Sequence, residues 1–194
     1  MPTKRLRWRG SPWSEAGART NQTRAPLGQR SGFADRYQQG RTLKPGEHFT
    51  ILIENNGPGG MYTELARTMV FGKASAQLED GFAAMKAAQD HTLSLIKPGA
   101  LCRDIAAAHD AYMQARGFSA ELRLYCHGQG YDLVERPLIR NDEPMTIEKD
   151  MNIVVHPTYI HAGYLNWLCD NYLIGGNGPG DRLHQFPEEV VEAG

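Results

Sequence analysis

Apolar and β-branched residues crowd positions 48–54 and again 61–71, and the polar, glycine-rich run Asn55-Asn56-Gly57-Pro58-Gly59-Gly60 separates them. Two antiparallel strands joined by a short turn are predicted, led in by the turn Lys44-Pro45-Gly46. The period then changes. Leu78, Phe82, Met85, Ala88, Thr92 and Leu95 recur every three to four residues, which predicts a helix over 76–96, stopped by Lys97-Pro98-Gly99. A second helix is predicted from 101 to 116 through Ile105, Ala108 and Tyr112, closed by Gly117. Too little apolar surface remains for a helix bundle, so both helices must pack on a sheet. The second half returns to strands, expected near 122–126, 151–155, 158–161, 168–174 and, after a glycine-rich turn at 175–180, 182–187. The class is α+β.

Composition narrows the partner. A formal net charge of −1 over 194 residues, with 41% hydrophobic and 22% charged residues, gives no field that attracts nucleic acid or an anionic membrane. A small-molecule or short-peptide substrate is expected instead. No run is apolar and long enough to span a bilayer, and no signal peptide is visible, so the cytoplasm is the expected location. The total charge hides an asymmetry: residues 1–36 hold eight Lys/Arg against Glu15 and Asp35, a net of +6, which leaves −7 for the rest. With scattered Pro and Gly and no apolar period, 1–36 is expected as a weakly ordered basic arm, and 37–194 as one domain. Cys102, Cys126 and Cys169 show no paired spacing and are expected as buried, reduced thiols.

Candidate chemistry gathers in four segments. They are Tyr62-Thr63-Glu64-Leu65-Ala66-Arg67-Thr68, the loop His127-Gly128-Gln129-Gly130, His156-Pro157, and Asp170-Asn171-Tyr172-Leu173. Each sets a proton-transferring or metal-capable side chain beside a strand or a glycine turn. Each also has a plain alternative. His127 can cap its own loop on a backbone carbonyl, His156 can end a strand facing solvent, and Asp170-Asn171 can be turn residues. Arg67 can be an anchor to a carboxylate, and Glu135 a charged strand edge. The glycines at 57–60 match no phosphate-loop pattern.

The order of these segments, with Gly178-Pro179 and Arg182-Leu183 behind them, resembles the catalytic domain of the creatinase/methionine aminopeptidase/Xaa-Pro aminopeptidase family over about residues 37–187. The resemblance implies the pita-bread fold, a curved antiparallel sheet with helices outside and a pocket inside, and a homodimer. Metallopeptidases of that family hold two divalent ions on two aspartates, the loop histidine and two glutamates. Here those positions fall on Ile53 (with Glu54 beside it), Glu64, His127, His156 and Cys169. Only His127 is unchanged, so a two-metal centre is not expected, and no cofactor is expected beyond a single divalent metal on Glu64, His127, His156 and Asp170. The resemblance then implies a creatinase-like hydrolase of a C–N bond in a small amidino or peptide-like substrate. His127, His156 and Glu64 are the catalytic candidates; Glu135, Asp170, Tyr62 and Arg67 are the substrate-binding ones. Alternatives are a mononuclear aminopeptidase and a pseudoenzyme that binds without turnover. The family's N-terminal domain has no counterpart in 1–36, which is taken as a replacement arising by truncation or an altered reading frame, and the family histidine ahead of the strand pair falls on Arg36.

Overall fold

The computed structural model describes residues 21–24, 43–121, 123–161 and 164–194. Most of the expected basic arm, the boundary at 36/37 and Arg36 lie outside the described residues. Within the arm, β1 (Asn21–Arg24) pairs antiparallel with β2 (His48–Asn56), from Asn21↔Asn55 to Arg24↔Leu52. On its other side β2 pairs with β3 (Tyr62–Phe71) along its whole length, His48↔Val70 to Asn56↔Tyr62. Gly60 takes φ +82° in the connecting turn, a conformation costly for any residue with a Cβ.

Helix α1 (Ala76–Leu95) starts where the Ser75 side chain accepts from the Leu78 amide at 3.2 Å, and it buries Leu78, Phe82, Met85, Ala88 and Thr92, the stripe its periodicity predicts. Helix α2 (Cys102–Gln114) ends in a left-handed cap. Gly117 sits at φ +79°, with the Phe118 amide on the Met113 carbonyl and the Gly117 amide on the Gln114 carbonyl, both at 3.0 Å.

Strands β4 (Cys126–Gly128), β5 (Glu135–Leu138) and β6 (Asn152–Val155), the hairpin of β7 (Thr158–His161) and β8 (Tyr164–Trp167), then β9 (Asp170–Ile174), β10 (Pro179–Arg182) and β11 (Val191–Ala193) complete the chain. They divide into a four-stranded sheet β1-β2-β3-β11, a five-stranded sheet β10-β9-β6-β4-β5, and the β7-β8 pair. The two larger sheets meet at an isolated bridge, Ala66↔Cys169, whose amides and carbonyls exchange bonds of 3.2 and 3.3 Å. The strand expected near 122–126 is β4 at 126–128, and β5 and β8 were not expected. The strand expected at 182–187 is not found there; β10 starts at Pro179, inside the expected glycine turn, and ends at Arg182, and β11 joins β3 in parallel.

Period-two alternation assigns the faces of the five-stranded sheet. Cys126, Ile153, Val155, Tyr172 and Ile174 pack with Ile96, Cys102, Ile105 and Ala106 in one helix-side core. The register lines up His127, Val154 and Asn171 on the opposite face, where Val154 joins Leu52, Ala66, Trp167 and Cys169 at the junction between sheets. At about 1.5–3 kcal/mol for each fully buried large apolar side chain, the helix-side core is what holds the polar face in place. No described helix is long and apolar enough to cross a membrane.

Gly128 shows how closely β4 approaches β5: a Cβ there would lie 2.7 Å from the Arg136 carbonyl oxygen, a backbone atom that cannot swing aside. Gly128→Ala is therefore expected to lower stability by about 1–3 kcal/mol, read as the urea midpoint. An unchanged midpoint would show that the two strands are free to part.

Candidate active site

Glu64 leaves β3 on its inward face, His127 leaves β4, and His156 follows the last residue of β6. All three are about 3% exposed or less. His127 Nε2 lies 3.8 Å from Glu64 Oε2, and His156 Nε2 lies 4.0 Å from Glu64 Oε1. The two imidazoles meet edge to face with centroids 5.2 Å apart. The structure thus brings together the three residues expected to be catalytic.

The tautomer of His127 follows from its neighbour. Nδ1 is 2.8 Å from the Gly128 carbonyl oxygen, which can only accept, so Nδ1 carries the proton and Nε2 turns its lone pair inward. The Gly128 bond is the loop-capping reading of His127, and it leaves Nε2 facing Glu64. His156 does not face solvent. Neither of its ring nitrogens has a hydrogen-bond partner among the described residues. Burial lowers the basicity of both rings: the His127 pKa falls to about 4 despite the Gly128 bond, and that of His156 falls well below the ordinary value, with His127 and Arg123 adding to the effect. Two neutral imidazoles therefore face one carboxylate, with the Nε2 lone pair of His127 turned towards it.

These three residues offer ligand atoms that all lie within 4.8 Å of one another, which suits one metal ion. Donors about 2.1 Å from a tetrahedral ion stand ~3.4 Å apart, so the observed separations need only a small contraction. A two-metal centre of the usual kind fits poorly. Cys169 is a protonated thiol, since burial and the nearby Glu64 and Asp170 raise its pKa well above the ordinary value, and its Sγ is 3.4 Å from the Glu64 carbonyl. Asp170 is turned away from the cluster. All three cysteines are free and buried.

Glu54, expected only as the neighbour of Ile53, proves to stand on the site wall itself. Counting along the chain gives Ile53 as the place of the first family aspartate, but the register sets Ile53 opposite Leu65 and Glu54 opposite Glu64. Directly opposed residues of an antiparallel pair share a face. Glu54, 6% exposed, is the second carboxylate on this wall. Pairing across the hairpin was the signal that could have found it.

Of the expected substrate-binding residues, Asp170 and Arg67 are committed to each other. Their buried pair is 2.9 Å long. Arg67 also donates to the carbonyls of Pro187, Ala66, Cys169 and Phe186 at 2.7, 2.7, 3.0 and 3.1 Å. Five acceptors match the five N–H groups of a guanidinium. This is the anchor reading of Arg67, and Asp170 lies on β9 rather than in a turn. His184 and Arg182 add longer contacts to Asp170, at 3.3 and 3.9 Å. Glu135 begins the edge strand β5 and accepts from the Asp132 amide at 2.7 Å, bracing the glycine loop. Tyr62 meets that loop through its amide, 2.7 Å from the Gly130 carbonyl.

The sequence profile of metallopeptidase family M24 matches residues 16–183. No curated protein sequence matches the chain. Among solved structures, an X-Pro aminopeptidase from Thermotoga maritima superposes with a TM-score of 0.82 at 16% identity, covering 93% of this chain and 52% of that one. A prolidase from Pyrococcus horikoshii does so at 0.81 and 20%, covering 92% and 52%. A methionine aminopeptidase from Thermotoga maritima gives 0.66 at 17%, covering 81% and 72%. At these identities the likeness is one of fold, and it is the pita-bread fold. The chain spans about half the length of the first two.

Two outcomes test this geometry. Arg67→Lys, which keeps the charge but cannot reach five acceptors, is expected to lower stability by about 3–5 kcal/mol through a buried Asp170 left poorly paired; a loss under 1 kcal/mol would show that Arg67 is not the anchor. The second concerns pH. His127 and His156 have folded pKa values below the unfolded 6.5, so the unfolded chain binds more protons beneath that point. Their contribution is fully present above pH 6.5 and is lost as pH falls through about 4. In metal-free protein the urea midpoint should drop across that window, and His156→Gln should flatten the drop. A midpoint flat from pH 7 to pH 4 would contradict the burial of neutral imidazoles.

Proposed function

The chain belongs to metallopeptidase family M24, and from that premise we propose that it hydrolyses a C–N bond in a small amidino or peptide-like substrate at Glu64, His127 and His156, without the family's two-metal centre. The observation that carries this reading is the convergence of three lone-pair donors from separate strands, with His156 lacking any hydrogen-bond partner among the described residues. An unsatisfied buried ring is costly unless a ligand, a water or an ion completes it.

His127, held by Gly128 in the tautomer with Nε2 free, accepts the proton of the attacking water. Glu64 orients that water and pairs with a cationic substrate group, while Glu54 lends the same wall a second carboxylate. His127 then passes that proton to the leaving nitrogen, and His156 helps orient substrate and water. Tyr62 and Glu135, beside the glycine loop, shape the mouth for substrate. Arg67 and Asp170 act from behind by fixing β3 against β9. The set also fits a single divalent ion on Glu64, His127 and His156, and such an ion supplies Lewis-acid polarisation and a more acidic water.

Turnover of Xaa-Pro dipeptides and amidino compounds, with and without chelator and beside metal analysis of the purified protein, separates these chemistries. Activity that survives chelation is expected for the metal-free route; activity lost with one equivalent of metal per chain marks the mononuclear one. In either case Glu64→Gln and His127→Ala should each lower kcat/KM by about 100-fold or more. No turnover under any condition removes the hydrolase reading. The nearly complete burial of all three side chains favours a second reading, a pocket that binds without turnover. A rise in melting temperature with a substrate-like ligand, and no product, would be its signature.

A further inference from the structure

Behind Glu64 lies a closed ring of hydrogen bonds made by side-chain amides. The Glu64 backbone N–H donates to Asn171 Oδ1 at 2.7 Å. A backbone N–H can only donate, so the atom facing it must be the amide oxygen, and this fixes the orientation of every amide beyond it. Asn171 Nδ2 then donates to Gln129 Oε1 at 2.8 Å and to Asn152 Oδ1 at 3.0 Å. Gln129 Nε2 in turn donates to Glu64 Oε2 at 3.3 Å and to the Leu133 carbonyl at 3.0 Å. Asn152 Nδ2 ends the branch on the Tyr62 carbonyl at 3.4 Å. The ring begins and ends at Glu64, and both N–H groups of Gln129 and of Asn171 are placed.

We propose that Gln129, held in one orientation by Asn171, is a positioning residue: it pins Oε2 of Glu64 and so aims the carboxylate at the two imidazoles as a preorganised ligand for a single divalent cation. This rests on the mononuclear form of the reading above. Gln129 and Asn171 are about 3% exposed or less, so no solvent competes for these bonds. The geometry matters because a glutamate side chain has three rotatable bonds to fix, and the imidazoles are carried on a different sheet from Glu64. A carboxylate fixed from behind loses little freedom when a cation arrives, and one left to swing loses more. Partners of this outer kind commonly set metal affinity by about 10–100-fold.

Cobalt(II) titration of the full chain, followed by visible absorption and by competition with a chelator, tests the proposal without using activity. Gln129→Met keeps the volume and removes both amide groups. It should weaken Co²⁺ binding by about 10–100-fold and shift the absorption band at saturation, because the released carboxylate meets the ion differently. A residue that only fills space would leave the band where it is. Should Gln129→Met fail to fold, Asn152→Ala, at the far end of the branch, is expected to show a smaller loss in the same direction. Wild-type affinity and an unmoved band in the folded variant would overturn the inference, as would a wild-type chain that takes up no cobalt. Absence of turnover does not affect this titration, so failure of the catalytic reading and failure of this one are separately visible.

Discussion

The site exists because two sheets are locked together at one seam. Glu64 belongs to the four-stranded sheet, whereas His127 and His156 belong to the five-stranded sheet, and no strand is shared between them. A single bridge at Ala66↔Cys169 and the five-way grip of Arg67 hold the register. Burying a guanidinium and a carboxylate away from water is unfavourable unless every donor finds an acceptor. Here the planar fork is filled by Asp170 and by carbonyls from both β3 and the segment that returns at 186–187. A slip of one residue along the seam would turn Glu64 out of the pocket and Leu65 into it.

The desolvation that makes that pair so dependent on geometry also sets the character of the site. Taken out of water, an imidazole prefers to be neutral, so two uncharged rings stand beside one carboxylate. The polar side chains nearby do not relieve this. Gln129 spends its amide hydrogens on Glu64 and the Leu133 carbonyl, Asn171 spends its own on Gln129 and Asn152, and the Gly128 carbonyl takes the one proton of His127. The pocket is therefore an acceptor cavity, suited to a cation, a protonated nitrogen or a water that donates in several directions.

Much of this was legible in the residue pattern. The strand pair, both helices and their stops at Lys97-Pro98-Gly99 and Gly117 follow from period and glycine placement, and the structure reproduces them within about two residues. His127, His156 and Glu64 stood out by residue type and context. What the pattern lacked was the third dimension. Glu54 is a wall of the site only because hairpin pairing sets it against Glu64, and a linear count lands one residue away, on the opposite face. Gln129 and Asn171 carry no charge or metal-ligand signature, so their role appears only when donors and acceptors are traced atom by atom. Strands β5, β8 and β10 are four residues each, too short for alternation to announce them.

Charge counting explains why this version of the fold suits one ion rather than two. Two divalent ions bring four positive charges into a buried space, and bridging carboxylates must offset them. On the inner wall two carboxylates face each other, Glu54 and Glu64, while His156 and Cys169 add only an imidazole and a thiol. Imidazole is a good ligand but a neutral one, and the Cys169 thiol stays protonated beside Asp170, whose own charge is already matched by Arg67. Two carboxylates balance one divalent ion. A second ion would have to be held by neutral donors alone, and the amides of Gln129, Asn152 and Asn171 are already committed to hydrogen bonds with one another.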